Sequence, residues 1–215
     1  VQTVKTLTEH NGNDTIAQIT LTPIIDASND DLQKLAKITT NQVLMNKIGA
    51  VALITYETLL EYKKQEIADA TARKRTISRM YFTWLIKQFD AIIGFIALYK
   101  PIFNIIAAIK YFNLATLKLL KSSNNYFMRL VIASAYQHHG IESSVISDII
   151  QMFRKHNIVI ISLINSTNDE LIKIHPEHKF NHIGTLTFRK ALYYAFIFAT
   201  QKPTSHTKNR CVHPK

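Results

Sequence analysis

Apolar and polar positions repeat with two different periods along this chain, and the period changes where turn residues cluster. Thr15 to Ile25 alternates Thr with Ile and Leu, placing Ile19 and Leu21 on one face, and predicts a first strand. Ser28-Asn29-Asp30-Asp31 follows. Ser28 is a good N-cap, and Asp31 three residues on completes a capping-box-like start for a helix carrying Leu32, Leu35 and Ala36. Val43 to Ile54 is apolar but interrupted by Gly49, which predicts an irregular or partly helical stretch. From Thr55 to about Arg79 the spacing predicts a long helix. Its apolar face carries Leu60, Ile67 and Ala70, with Lys63, Lys64, Arg73 and Lys74 on the others.

Phe82 to Lys87 and Ala91 to Leu98 predict a hairpin turning near Gln88-Phe89-Asp90. Beyond Lys100-Pro101, a strand is expected over Phe103 to Ile109, then a short helix over Asn113 to Lys121 and a turn at Ser122 to Asn125. Tyr126 to Ala133 is a near-continuous apolar strand broken only by Arg129. After Gly140, a helical stripe of Val145, Ile146, Ile149, Ile150 and Phe153 opposes Ser147, Asp148, Gln151 and Arg154. Ile158 to Ile164 is again almost wholly apolar. Two such runs flanking a helix predict a parallel crossover covered on both faces. After a helical or loop segment, Gly184 to Phe188 and Ala191 to Thr200 predict a last hairpin. The expected fold class is α+β with a mixed sheet. Residues 1–14 are expected as a loose polar arm, 15–200 as one domain and 201–215 as a basic tail.

Composition narrows the function classes. With 215 residues and 47% apolar content the chain can bury one ordinary core, and 19% charged residues exclude a disordered or coiled-coil chain. The single cysteine, Cys211, allows no intrachain disulfide, which suits a reducing compartment. With no basic-then-apolar signal at the start, a cytoplasmic protein is expected, export as an effector being left open. Part of the net charge of +11 is local, in Arg73-Lys74-Arg75 with Arg79 and in Lys202, Lys208, Arg210 and Lys215. Neither cluster interleaves aromatics that would stack on bases, so a solvated face is expected before nucleic-acid binding. Ala91 to Ile109 is the one window long and apolar enough to suggest a membrane span. Lys100, Pro101 and Asn104 in its middle argue against that.

Candidate chemistry concentrates at Gln137-His138-His139-Gly140-Ile141-Glu142, between the apolar strand and its following helix. The first backbone N–H groups of a helix lack intrahelical partners and sit at the positive end of the helix dipole. A strand, a glycine turn and a helix entry therefore make an anion site, suited to a cofactor bearing a pyrophosphate. His175, His178 and His182 have a spacing permissive for metal. Pro176 argues against one regular helical face, and no Cys or carboxylate pattern completes a zinc site, so no metal is expected.

This order of elements, with its loop, resembles the GNAT N-acyltransferase superfamily, closest to the branch that acetylates ribosomal-protein N-termini and related amines. Gln137 and Gly140 match the family loop Gln/Arg-x-x-Gly-x-Gly/Ala, and Leu130-Val131-Ile132-Ala133 matches the strand before it. Thr83-Trp84 to Gly94-Phe95-Ile96-Ala97-Leu98 looks like the branch's central hairpin, and Asn168, twelve positions before Phe180, matches its Asn…Gly-Phe spacing. The resemblance implies a GNAT-like fold, a parallel βαβ unit for the pyrophosphate, and acetyl-CoA as co-substrate. It implies that backbone groups of Val131, Ile132 and Ala133 hold the pantetheine. Gln137, His138, His139, Gly140, Ile141, Ser143 and Ser144 would hold the pyrophosphate, and Asn168 would bond the pantetheine amide. His175 aligns roughly with the tyrosine that commonly protonates the departing thiolate, which makes it the implied general acid. A general base is not identifiable. The acceptor would be a primary amine on a protein N-terminus, a lysine or a small molecule, with the basic surface favouring an acidic one. The oligomeric state is left open, a dimer included. Three departures stand out: Glu142 replaces Gly or Ala, Lys179 replaces the Gly of Gly-Phe, and Leu171 replaces a small residue. Glu142 would repel a pyrophosphate unless its side chain turned outward. The alternative is a degenerate GNAT-fold interaction module with little or no catalysis.

Overall fold

The computed structural model describes residues 4–7, 18–40, 54–73, 79, 81–100, 124–137, 139–188 and 191–200. The irregular stretch before Ile54, the strand expected over 103–109, the helix expected over 113–121 and the basic tail lie outside them. The described strands form one sheet in the order β1-β2-β3-β4-β5-β6-β8-β7. They are β1 (Val4–Leu7), β2 (Gln18–Pro23), β3 (Tyr81–Gln88), β4 (Ala91–Tyr99), β5 (Asn124–Ile132), β6 (Ile158–Asn165), β7 (Asn181–Phe188) and β8 (Ala191–Ala199). Four described helices cover the sheet: α1 (Asn29–Thr39), α2 (Tyr56–Thr71), α3 (Ile141–Phe153) and α4 (Asp169–Glu177). The pair β5–β6 is parallel and the other pairs are antiparallel. This is the α+β mixed sheet that the pattern predicts.

Some boundaries differ from those expected. Part of the polar arm is the edge strand β1, paired with β2 from Val4↔Leu21 to Leu7↔Gln18. β2 ends before the expected Ile25: Pro23, with no N–H to donate, ends it, and a 3₁₀ turn over Ile24–Asp26 follows. β7 begins at Asn181, three residues before the expected Gly184, because Asn181 already pairs with Ile197. α4 continues through Pro176, near its last turn, so the segment is helical despite the proline. The half of the apolar window that is described, Ala91–Tyr99, is a central strand, and no helix among the described residues is long and apolar enough to cross a membrane.

α1 starts as its sequence dictates. Ser28 Oγ accepts from the Asp31 N–H at 3.0 Å, and Asp31 Oδ2 accepts from the Ser28 N–H at 3.0 Å. Such a cap contributes about 1 kcal/mol. α3 also follows its pattern: Ile141, Val145, Ile146, Ile149 and Phe153 are buried against Phe82, Trp84, Ile96 and Ile160. α1 and α2 cover the other face, over Leu85, Phe95, Ala97 and Val131.

α2 departs from its expected face and length. Leu59, Glu66 and Asp69 are buried, while Ile67 is 46% exposed and Ala70 is exposed. The helix ends at Thr71 rather than near Arg79, and Arg73 beyond it takes φ 49°. Its inward surface is thus partly acidic. Glu66 lies against Thr83, and burial pushes its carboxyl up to about 8, so the neutral form is held at pH 7. Asp69, 0% exposed, accepts from Gln65 Nε2 at 2.9 Å.

Candidate functional site

β5 and β6 pair from Asn124↔Ile158 to Met128↔Ser162 and then part. β5 stays with β4 as far as Gly94↔Ile132, and β6 stays with β8 as far as Asn165↔Tyr193. Each strand keeps its outer neighbour, so the sheet opens between them. Gly94 secures one side of the opening, because a Cβ there would run into the Val131 carbonyl oxygen. The opening contains a cavity of about 70 Å³ lined by Tyr99, Arg129, Leu130, Ser162, Asn168 and His175, among others.

The backbone of β5 decides which groups face the gap. The Ala133 N–H donates to Ile93 O at 2.7 Å, and its carbonyl accepts from the Tyr136 N–H at 2.8 Å. Ala133 is therefore committed elsewhere. By the two-residue alternation of an antiparallel ladder, Val131 also turns its backbone toward β4, opposite Phe95. Leu130 and Ile132 turn theirs toward the gap, past the last residue paired with β6. Of the three residues expected to hold the pantetheine, Ile132 turns its backbone to the gap and Val131 and Ala133 do not, whereas Leu130 does.

At the end of the opening, Gln137 Nε2 donates to Ile132 O at 2.8 Å and ties the loop back to β5. Gly140 has φ 72°, a left-handed conformation that glycine adopts at little cost, and it caps α3 with no side-chain cap bond. The first intrahelical bond here is Ser144 N–H to Gly140 O at 3.1 Å. The N–H groups of Ile141, Glu142 and Ser143 precede it and have no intrahelical acceptor. The Ile141 side chain is buried in the core, so only its backbone serves the corner. His139 is exposed, and His138 lies outside the described residues. Ser143 Oγ lies 2.8 Å from His178 Nε2, which joins the start of α3 to the end of α4. Glu142 does not turn outward: it is 5% exposed in the first turn of α3.

Asn168 and His175 both reach the cavity from α4. Asn168 is the N-cap of that helix, its Oδ1 accepting from the Leu171 N–H at 3.1 Å, which leaves its amide N–H groups for a ligand. His175 is 1% exposed, wedged against Phe180 and Phe196. Its Nδ1 lies 2.7 Å from Leu171 O, an atom that only accepts, so Nδ1 carries the proton. Nε2 is buried without a partner among the described residues. Burial pushes the imidazole down to about 4. A ring held neutral at pH 7, with its Nδ1–H engaged by Leu171 O, does not favour the general-acid role that the resemblance implies. Lys179 takes φ 64°, which explains why the resembled family has glycine there. Among the described residues no group of His, Cys, Asp or Glu is placed to hold a metal.

Arg129, Leu130 and Tyr99 are cavity residues that the sequence did not single out as such. Arg129 did carry a signal, as the one charge in an apolar strand.

No protein-family model matches this sequence, and no curated protein matches it either. Solved structures are similar. RimL, a ribosomal L7/L12 alpha-N-protein acetyltransferase in complex with coenzyme A, has a TM-score of 0.58 at 9% identity, over 84% of this chain and 93% of its own. Spermidine N-acetyltransferase from Vibrio cholerae, in complex with CoA and spermine, has a TM-score of 0.58 at 12% identity, over 85% of this chain and 95% of its own. A GNAT-family acetyltransferase from Bacillus anthracis has a TM-score of 0.54 at 11% identity, over 86% and 96%. The chain has the GNAT acyltransferase fold.

Proposed function

We propose that this GNAT-fold chain is an acetyl-CoA-dependent N-acetyltransferase acting on a primary amine. The observation that carries the reading is the opening between β5 and β6, with the uncapped N-terminus of α3 at its end. Acetyl-CoA supplies an acetyl group already activated as a thioester. The chain's own contribution is placement. The Leu130 backbone offers an N–H and a C=O and the Ile132 backbone an N–H to the pantetheine amides, and Asn168 offers its amide N–H groups beside them. The first-turn N–H groups of α3 and the turn at Gly140 receive the pyrophosphate. Holding the thioester in a narrow slot beside the amine replaces a bimolecular encounter with a positioned one. His175 contributes a neutral, proton-accepting nitrogen to the slot rather than a proton.

Calorimetry with acetyl-CoA tests this, with Gly140→Asp as the control. Micromolar binding lost in the variant supports the reading, and no binding by the wild type at millimolar ligand sinks it. The buried Glu142 favours a second reading, an interaction module that has given up the cofactor. Glu142→Gly separates the two: an enzyme tolerates the change or gains CoA affinity, whereas a module shows no catalytic response.

A further inference from the structure

We propose that the acceptor is a primary amine that also carries a carboxylate, and that Arg129 binds this carboxylate. The inference rests on the acetyltransferase reading for the amine and on the cavity for the carboxylate. Among the described residues Arg129 is the only formally charged side chain lining the cavity, and no Asp or Glu lines it. No hydrogen bond or ion pair engages Arg129 among the described residues. Its neighbours on the α1–α2 face are phenols: Tyr99 lines the cavity with it, and Tyr62, stacked on Tyr81 at 4.8 Å, lies within electrostatic reach.

A half-buried guanidinium in an apolar strand, given no counter-ion by the described residues, carries a desolvation cost that an incoming anion offsets. Its planar fork matches a carboxylate with two parallel hydrogen bonds. Placement limits how far the carboxylate lies from the amine. Arg129 precedes Leu130, whose backbone faces the gap, and the cavity crosses the sheet from Arg129 on one face to His175 on the other. An anion held at Arg129 therefore sits only a few bonds from the slot where the amine is acylated. A polycationic amine meets the wrong charge here.

The test measures binding of matched pairs to wild-type protein, with and without CoA. The pairs are a free amino acid and its carboxamide, and an acidic tetrapeptide and its side-chain amide, with spermidine as the cationic comparison. Arg129→Gln and Arg129→Lys are measured alongside. The expected result is that one carboxylate partner binds about ten-fold or more tighter than its amide. Arg129→Gln abolishes the difference and Arg129→Lys keeps part of it, which also shows that the site folds. Whichever pair shows the preference identifies the source as a free amino acid or an acidic peptide. Equal binding within both pairs, tighter binding of spermidine, or a preference that survives in Arg129→Gln overturns the inference. The acetyltransferase reading fails separately: loss of acetyl-CoA binding with the carboxylate preference intact removes that reading and leaves the anion site standing.

Discussion

α2 and α3 cover opposite faces of the same sheet with opposite chemistry. α3 presents an unbroken apolar stripe, and every position of that stripe is buried or packed against the core. α2 presents Leu59 together with two carboxyl side chains, leaving Ile67 outside. The α3 face is held by apolar burial, roughly 1.5–3 kcal/mol for each large side chain. The α2 face adds groups whose burial depends on protonation and hydrogen bonding. Buried titratable groups stand on both sides, Glu66 and Asp69 on α2 and Glu142 and His175 on the α3–α4 side, but only α2 builds its inward stripe around them.

The comparison breaks most sharply at Ile146. Ile146→Ala on the α3 face is expected to cost about 2–5 kcal/mol in denaturant unfolding, because a fully buried branched side chain leaves a cavity. The faces also titrate differently. Glu66 is held near 8 in the folded protein against 4.5 for a free carboxyl, so the stability it contributes is complete below pH 4.5 and lost as pH rises through 8. His175, packed on the α3–α4 side, is held near 4 against 6.5, so its contribution is complete above pH 6.5 and lost as pH falls through 4. Chemical unfolding measured from pH 4 to 9 should therefore decline at both ends. Glu66→Gln removes the alkaline decline, and His175→Gln the acid one. A decline unchanged in its own variant contradicts the assignment. The smallest effect lies outside both helices. Lys179→Gly is expected to stabilise by about 1 kcal/mol by relieving a left-handed backbone, read as a rise in the unfolding midpoint.

The same contrast explains what the sequence revealed. The βαβ unit was legible because the inward faces of β5, α3 and β6 are mostly apolar, with Glu142, Ser162 and Asn165 the buried polar exceptions in α3 and β6, and period alone finds such a surface. α2 was not legible: its stripe of Leu60, Ile67 and Ala70 reads as a core face, while Glu66 and Asp69 look like solvent residues until the fold sets Thr83 against Glu66 and buries Asp69 with its bond from Gln65, one turn earlier on the same helix. The corner at Gly140 was readable from local residues, since a glycine turn before a helix is a property of a few consecutive positions. Which amides of β5 face the gap was not. That depends on the long-range register Gly94↔Ile132, and a shift by one residue exchanges the two sets. His175 was located by alignment, but its protonation state follows from a carbonyl one helical turn away and two phenylalanines brought in by β8 and the α4–β7 connection.

The parting of β5 from β6 leaves a signature that needs no ligand and no assay. Along a single strand, the amide hydrogens of Val131 and Ala133 are locked against β4 while those of Leu130 and Ile132 look into the gap. In deuterated solvent the four should exchange in alternation, slow for one residue and fast for the next, where an ordinary central strand is slow throughout. A molecule that completes the sheet by filling the slot would slow the fast pair and leave the other two untouched. Isotope labelling thus reports slot occupancy residue by residue.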